Sequence, residues 1–146
     1  MRRLVMLRRL QRVRKSLRDG AASAVAYAQS RHEISKRDQR AAADALERSR
    51  AAANSRLRQA AFASDLLLLA DEIGSASESI AHLDRVSAQT AVIVKEANLK
   101  LRERQQALQV AEKLTMNAKQ EQIYEMDKQE QKLVDDFSNY RAWWNR

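Results

Sequence analysis

The sequence predicts an all-α protein that folds as a long two-helix antiparallel coiled-coil hairpin. The chain has no proline and only two glycines in 146 residues. Ala, Leu, Arg, Lys, Gln and Glu dominate it, and these residues favour helix in almost every window. Gly74 lies almost at the midpoint, so it would join two helical arms of equal length. Two such arms should fold back on each other.

The residues around Gly74 combine a helix stop with a helix start. Glycine readily adopts the left-handed conformation that ends many helices. Ser75 and Glu78 have the S-x-x-E spacing of a capping box. We therefore expect one hairpin over residues 1–146, with arm one over about 2–73, a turn at 74–76 and arm two over about 77–143. Gly20 is expected to be a soft point in arm one, at a cost of about 1 kcal/mol relative to Ala.

Apolar residues spaced alternately three and four apart predict the seam between the arms. In arm one the predicted seam is Met6, Leu10, Val13, Leu17, Ala24, Tyr27, Ile34, Ala41, Ala45 and Ala52, with a shift of one residue at Leu46, Ala53 and Leu57. Such a shift predicts local unwinding of the coiled coil. In arm two the predicted seam is Ile80, Leu83, Thr90, Val94, Ala97, Leu101, Leu108 and Ala111, continued less strictly by Leu114, Ala118, Ile123 and Met126.

The charge is distributed unevenly along the chain. The formal net charge is +8, of which residues 1–58 contribute +11 and residues 59–146 contribute −3. Because the two arms carry net charges of opposite sign, antiparallel pairing is favoured, and the basic arm leaves a basic surface for an acidic partner. The absence of cysteine excludes disulfides and thiolate metal sites. The sequence contains no run of 18 apolar residues, so it predicts no transmembrane helix.

The first twenty residues are strongly basic, with Asp19 as their only acid. Clustered arginines suit a nucleic-acid-binding arm, an organelle transit peptide, or a helix that meets an acidic protein. An apolar stripe through Leu4, Leu7 and Leu10 is unnecessary for a basic helix in a DNA groove. Contact with a protein is therefore the favoured interpretation.

Four consecutive leucines, Leu66 to Leu69, precede the predicted turn. Phe62, Leu66, Leu69 and Ile73 share one helical stripe, which leaves Leu67 and Leu68 facing elsewhere. These two residues either support self-association or a third helix, or form a docking patch for another protein.

The C-terminal segment is aromatic, with Phe137, Tyr140, Trp143 and Trp144. In an equal-armed hairpin these rings lie beside residues 1–10. They either cap the open base of the hairpin against Leu4 and Leu7 or anchor an interface with a partner.

No enzyme signature is present. Neither glycine belongs to a phosphate-binding loop, and His32-Glu33 fails the H-E-x-x-H zinc pattern because Lys36 occupies its fifth position. Both histidines, His32 and His82, are expected on the solvated surface. We predict no catalysis, no metal and no cofactor.

Two stretches resemble a family of bacterial export proteins. Residues 7–18, LRRLQRVRKSLR, resemble the start of the YscO proteins of type III secretion systems. Residues 126–137, MDKQEQKLVDDF, are similar to the closing segment of FliJ, the flagellar counterpart. Length and helical architecture match this family over the whole chain.

The resemblance implies a central stalk of a secretion ATPase, in the cytoplasm and peripheral to the membrane through its partners. The implied partners are the hexameric secretion ATPase, the cytoplasmic domain of the export gate and escort chaperones, with no specific nucleic acid. The base of the hairpin, which would enter the ATPase ring, corresponds to Arg8, Arg9, Arg12, Lys15, Phe137, Tyr140 and Trp143. The tip, which would reach the gate, corresponds to Phe62, Leu66, Leu67, Leu68, Leu69 and Ile73. The alternative function is a basic coiled coil that binds nucleic acid or an anionic membrane.

Overall fold

The computed structural model describes residues 2–59 and 62–144. Within these ranges the chain forms two helices, α1 (Arg2–Arg58) and α2 (Ala63–Trp144). The helices pack against each other, and the described residues contain no strand. The predicted all-α hairpin is therefore confirmed.

The predicted turn at Gly74 is wrong, and so are the arm boundaries that depended on it. Helix α2 continues through Gly74, whose backbone does not adopt the left-handed conformation. The Ser77 hydroxyl donates a hydrogen bond to the Ile73 carbonyl at 2.9 Å, four residues back, as in an uninterrupted helix. The S-x-x-E sequence therefore lies inside a helix and caps nothing.

The helices are instead joined around residues 59–62. The Gln59 amide donates to the Arg56 carbonyl at 3.1 Å, which closes the end of α1. The Phe62 carbonyl accepts from the Asp65 and Leu66 amides at 3.0 and 3.2 Å, which starts α2. This connection contains neither glycine nor proline. The sequence signal that does mark it is charge, because the net charge changes sign here.

Gly74 remains helical because pairing outweighs its low helix propensity. Glycine in a helix costs about 1 kcal/mol relative to alanine. On either side of it, the side chains of Ile73, Ala76 and Ile80 are partly buried at the seam. Burying apolar side chains contributes more than this cost, at roughly 0.8 kcal/mol per buried CH₂.

The residues form two compact units, each built from a stretch of α1 and a stretch of α2. The terminal unit contains residues 1–20 and 102–146, and the connection unit contains residues 21–101. In the terminal unit, Arg3 Nη1 lies 3.3 Å from Glu121 Oε2. In the connection unit, His32 pairs with Thr90, and Gln39 donates to Asp84. Within each unit the two stretches therefore run antiparallel.

The seam of α1 differs from the predicted one at most positions, although the predicted Leu46 and Ala53 do lie in it. Met6, Leu10, Val13, Leu17, Tyr27 and Ile34 are all exposed. The buried and half-buried residues of α1 recur at strict three-and-four spacing, without the predicted shift of one residue. In the terminal unit they are Leu4, Leu7, Gln11, Arg14 and Arg18, and in the connection unit Ala21, Val25, Ala28, His32, Ser35, Gln39, Ala42, Leu46, Ser49 and Ala53.

The seam of α2 follows the prediction more closely. Its first eight predicted residues, Ile80 to Ala111, are all buried or half-buried. Ala118 is also buried, whereas Leu114, Ile123 and Met126 are exposed. The seam extends toward the connection through Leu69, Ile73 and Ala76.

Size complementarity explains why α1 uses a seam with so many small and polar side chains. Counting along both helices from the His32–Thr90 pair places Ala28 level with Val94, and Val25 level with Ala97. A small residue opposite a large one lets two helices interdigitate closely. The long side chains of α1 that the prediction assigned to the seam would crowd such positions.

Candidate interaction surfaces

The C-terminal part of α2 extends beyond the end of α1. Helix α2 has 82 residues and α1 has 57, a difference of 25 residues. Because Arg3 is level with Glu121, almost all of this difference lies after Glu121. Gln122 is the last half-buried residue, and residues 123–144 are all exposed. We call this segment the overhang, and at 1.5 Å per residue it is about 30 Å long.

The overhang carries an apolar stripe on a new face of α2. Seam spacing continued past Gln122 falls on the polar residues Glu125, Gln129, Lys132, Asp136 and Asn139. The apolar residues keep heptad spacing on a different face, interrupted only by Glu130. The overhang stripe consists of Ile123, Met126, Leu133, Phe137, Tyr140 and Trp144.

The aromatic side chains of this stripe are open to solvent. Phe137, Tyr140 and Trp144 are 72%, 62% and 73% exposed. The rings of Tyr140 and Trp144 stack with centroids 6.3 Å apart and an interplanar angle of 26°. With Arg141, these residues line a surface depression of about 570 Å³. They do not cap the hairpin against Leu4 and Leu7, and Trp143 is equally exposed on a neighbouring face.

The predicted ATPase-contact residues occupy two separate surfaces of the terminal unit. Arg8, Arg12 and Lys15 line a shallow depression of about 370 Å³ with Gln11, and Arg9 is exposed on another face of α1. Counting from the Arg3–Glu121 pair places this basic stretch level with residues 109–116 of α2. Phe137 lies more than 20 residues farther along, which corresponds to about 30 Å. The earlier connection causes this separation, because it shortens α1 and lengthens α2.

The predicted gate-contact residues surround the start of α2. Phe62 immediately precedes the helix and is 81% exposed. Leu67 and Leu68 are 68% and 64% exposed, as expected for leucines that face away from the seam. Leu69 is buried at the seam, and Leu66 and Ile73 are half-buried. Only part of the predicted stripe is therefore accessible to a partner.

A further apolar surface faces outward from α1. Apart from Leu46, Ala53 and Leu57, the residues that the sequence assigned to the seam lie one position before the true seam residues. In the terminal unit this outward stripe consists of Met6, Leu10, Val13 and Leu17, all exposed. The pattern is visible in the sequence, but its orientation depends on which face α2 covers.

A pair of polar side chains crosses the seam of the connection unit. The Thr90 hydroxyl donates to the Ser87 carbonyl at 2.9 Å, so its oxygen is free to accept the Nδ1–H of His32 at 2.8 Å. His32 is half-buried, which corrects the expectation of a solvated side chain, whereas His82 is exposed. The buried Ser35 hydroxyl has no hydrogen-bond partner.

The described residues contain no candidate membrane-spanning helix and no candidate metal site. No helix among residues 2–59 and 62–144 is long and apolar enough to cross a membrane. The same ranges contain no group of three or more His, Cys, Asp or Glu side chains placed to hold a metal ion.

The chain matches a known protein family over almost its whole length. Residues 3–146 match the model of the flagellar FliJ protein family. No curated protein and no solved structure matches the chain. FliJ and YscO proteins are structural components of type III export systems. Because the match spans nearly all residues, the chain belongs to the FliJ family.

Proposed function

We propose that the chain is a non-enzymatic central stalk of a bacterial type III secretion ATPase, and that it links the ATPase ring to the cytoplasmic domain of the export gate. The observation that carries this proposal is the terminal unit of a FliJ-family chain, in which a basic stretch of α1 and a free aromatic overhang are both accessible. Both surfaces expose side chains that commonly anchor protein interfaces.

The proposed contact with the ATPase has an electrostatic and an apolar part. Arg8, Arg9, Arg12 and Lys15 attract acidic side chains of the ring, since residues 2–18 carry eight basic residues and no acid. Phe137, Tyr140 and Trp143 supply the apolar anchors from the overhang. The separation of the two surfaces means that ring subunits meet them at different depths. An asymmetric stalk binds ring subunits unequally and so biases them between conformations.

The ATPase contact is tested by charge reversal. Changing Arg8, Arg9 and Arg12 together to Glu should abolish the stimulation of ATPase activity while helical content, measured by circular dichroism, stays constant. Changing Arg37, Arg40 and Arg48 to Glu is the matched control, because these arginines are exposed in the connection unit. Undiminished stimulation by the first variant would refute the proposed basic contact.

The proposed contact with the gate uses the leucines at the start of α2. Leu67 and Leu68 are exposed while their neighbour Leu69 is held in the seam. The patch therefore has a fixed orientation, and Phe62 extends it toward the connection. Contiguous exposed apolar surface of this kind usually marks a contact with another protein.

The gate contact is tested by making this patch polar. Changing Leu67 and Leu68 to Ser should remove binding to the gate domain and leave ATPase stimulation intact. The control changes Val92 and Leu99, which are comparably exposed elsewhere on α2, to Ser. Unchanged gate affinity in the Leu67/Leu68 variant, measured by calorimetry, would contradict the proposal.

A further inference from the structure

Two polar pairs link the helices of the connection unit about one heptad apart. The Nδ1 atom of His32 lies 2.8 Å from the Thr90 hydroxyl oxygen, and the Gln39 amide donates to the Asp84 carboxylate. His32, Thr90 and Gln39 are half-buried at seam positions, and Asp84 is exposed beside the seam. Both pairs indicate the same register. Positions 32 and 90 are equidistant from 61, and positions 39 and 84 from a point between 61 and 62, inside the connection.

We propose that these two pairs select the register of α1 against α2 and thereby determine where the connection lies. The connection over residues 59–62 has no glycine or proline that would specify a turn. The strongest local turn signal lies instead at Gly74, where α2 continues as a helix. The position at which the chain reverses is therefore determined by contacts outside the connection.

The apolar levels of the seam do not discriminate between neighbouring registers. In the observed register Ala28 lies level with Val94. A slip of α1 by one heptad would bring Ala28 level with Leu101 instead. The same slip would move Ala21 from the level of Leu101 to the level of Leu108. Each of these levels still opposes a small residue to a large one, so each would pack in either register.

The polar levels do discriminate, because a hydrogen bond needs its partner at one particular level. A slip of one heptad would place His32 level with Ala97 in one direction and with Leu83 in the other. The imidazole would then face an apolar side chain, and the desolvation of its N–H group would be uncompensated. Either slip would also separate Gln39 from Asp84. One polar pair at a seam position fixes the register of a coiled coil in this way, at a cost in stability.

The same pairs disfavour the hairpin that the local signal at Gly74 predicts. A reversal centred on Ser75 would place His32 level with Ala118, and Gln39 level with Ala111. Neither alanine side chain can form a hydrogen bond. The observed register satisfies both polar side chains of α1, so it is favoured although its connection has no turn signal.

The register also sets how far α2 extends beyond α1, because both helices are continuous. A slip of one heptad would change the length of the overhang by roughly 10 Å, at 1.5 Å per residue. The separation between the basic stretch of α1 and the aromatic rings of α2 would change by the same distance. The four polar side chains are therefore positioning residues for the ATPase contacts, a consequence that rests on the proposed stalk function.

Disulfide closure within one chain tests the register, since the chain has no cysteine of its own. With the polar pairs intact, Ala28→Cys should link to Val94→Cys. Ala28→Cys should not link to Leu101→Cys or to Ser87→Cys, which report a slip of one heptad in either direction. Mass spectrometry of the monomer under oxidising conditions measures the linked fraction. A slipped pair that closes as fully as the Val94 pair would overturn the proposal.

An apolar variant removes the polar pairs without removing the seam. It combines the substitutions His32→Leu, Thr90→Val, Gln39→Leu and Asp84→Ala. Helical content should be unchanged, because replacing both partners of a hydrogen bond with apolar groups is nearly neutral or stabilising. At least one of the slipped cysteine pairs should now close in addition to the Val94 pair. Closure confined to the Val94 pair in this variant would refute the proposed role of the polar pairs.

The matched control removes a different pair that links the two helices. Arg3 and Glu121 form an exposed ion pair in the terminal unit. Arg3→Ala with Glu121→Ala should leave closure confined to the Val94 pair, because exposed ion pairs contribute little. Slippage in this control as severe as in the apolar variant would contradict a specific role for the connection unit.

Exchanging the members of one pair separates the hydrogen bond from general packing. In a chain that carries Gln39→Leu and Asp84→Ala, the exchange of His32→Thr with Thr90→His keeps a donor and an acceptor at the same level. Closure should stay confined to the Val94 pair. Slippage in the exchanged chain would show that side-chain packing, and not the hydrogen bond, selects the register.

Stimulation of the ATPase tests the positioning role. The apolar variant should stimulate less than the native chain, and an oxidised link between Ala28→Cys and Val94→Cys in that variant should restore stimulation. If the disulfides follow the predicted registers but stimulation never changes, the register proposal is supported and the proposed spacing of the ATPase contacts is contradicted. The disulfide tests use the chain alone, so their outcome is independent of the stalk proposal.

Discussion

Helix α2 changes character along its length. From Leu69 to Ala118 most of the buried and half-buried side chains of α2 are apolar and lie at the seam, although other apolar side chains, such as Val92 and Val110, are exposed. Beyond Gln122 the same positions are polar, and the apolar residues move to another face that α1 does not reach. The change falls where α1 ends, since Arg3 is level with Glu121. The difference teaches that a shift in heptad position along one continuous helix marks where pairing with its neighbouring helix ends.

Replacing a seam leucine should have the largest effect on stability. Leu108 is 7% exposed at the seam, so Leu108→Ala should lower the free energy of unfolding by about 2–3 kcal/mol. Val134→Ala on the overhang should change it by less than about 0.5 kcal/mol. Urea unfolding followed by circular dichroism measures both values. Equal losses would show that the overhang is packed like the rest of α2.

Substitution of Gly74 tests whether pairing continues through the midpoint. Gly74 is helical and has open space around its Cβ position. Gly74→Ala should therefore stabilise the protein by about 1 kcal/mol, which is the difference in helix propensity. A turn with a left-handed glycine would give the opposite sign. A lower melting temperature for this variant would therefore support a turn at Gly74 and contradict the continuous helix.

The seam contains a buried hydroxyl without a hydrogen-bond partner, and a substitution can remove it. Ser35 is buried with an unpaired hydroxyl, and removing an unsatisfied polar group relieves a desolvation cost of about 1 kcal/mol or more. Ser35→Ala should raise the melting temperature. The exposed Ser30→Ala controls for helix propensity, because it makes the same chemical change outside the seam. Equal effects of the two substitutions would indicate that the Ser35 hydroxyl is satisfied in solution.

The smallest expected effect lies where pairing ends. Arg3 and Glu121 form an ion pair between side chains that are 74% and 64% exposed. Exposed pairs contribute at most about 1 kcal/mol and usually less. A double-mutant cycle of Arg3→Gln and Glu121→Gln should therefore give a coupling energy that disappears in high salt. A large coupling energy that does not depend on salt would mean that a further contact shields the Arg3–Glu121 pair from solvent.

The sequence predicted the α2 seam well and the α1 seam poorly, for a physical reason. In α2 one face is clearly the most apolar between Ile80 and Ala111, and that face is buried. In α1 the longer apolar residues, such as Leu10, Val13 and Tyr27, lie beside the face that packs. The face that packs presents Ala21, Ala28 and Ala42, which match large residues of α2. Periodicity identifies stripes but does not reveal which of two neighbouring stripes a partner covers.

The candidate surfaces show the same division. The basic residues of α1, the aromatic end of α2 and the exposed Leu67 and Leu68 were all recognised from the sequence. Their grouping was not, because an equal-armed hairpin would have placed the aromatic rings beside Leu4 and Leu7. Moving the connection from Gly74 to residues 59–62 separates the rings from the basic stretch and creates the overhang.

The sequence alone determined the helical class, the heptad spacing and the division of charge, because each depends on residue type and on short-range periodicity. Only the tertiary structure decided the position of the connection, the face of α1 that is buried and the length of the unpaired end. These depend on how the residues of two helices fit together over their whole length, and that fit outweighed the local turn signal at Gly74.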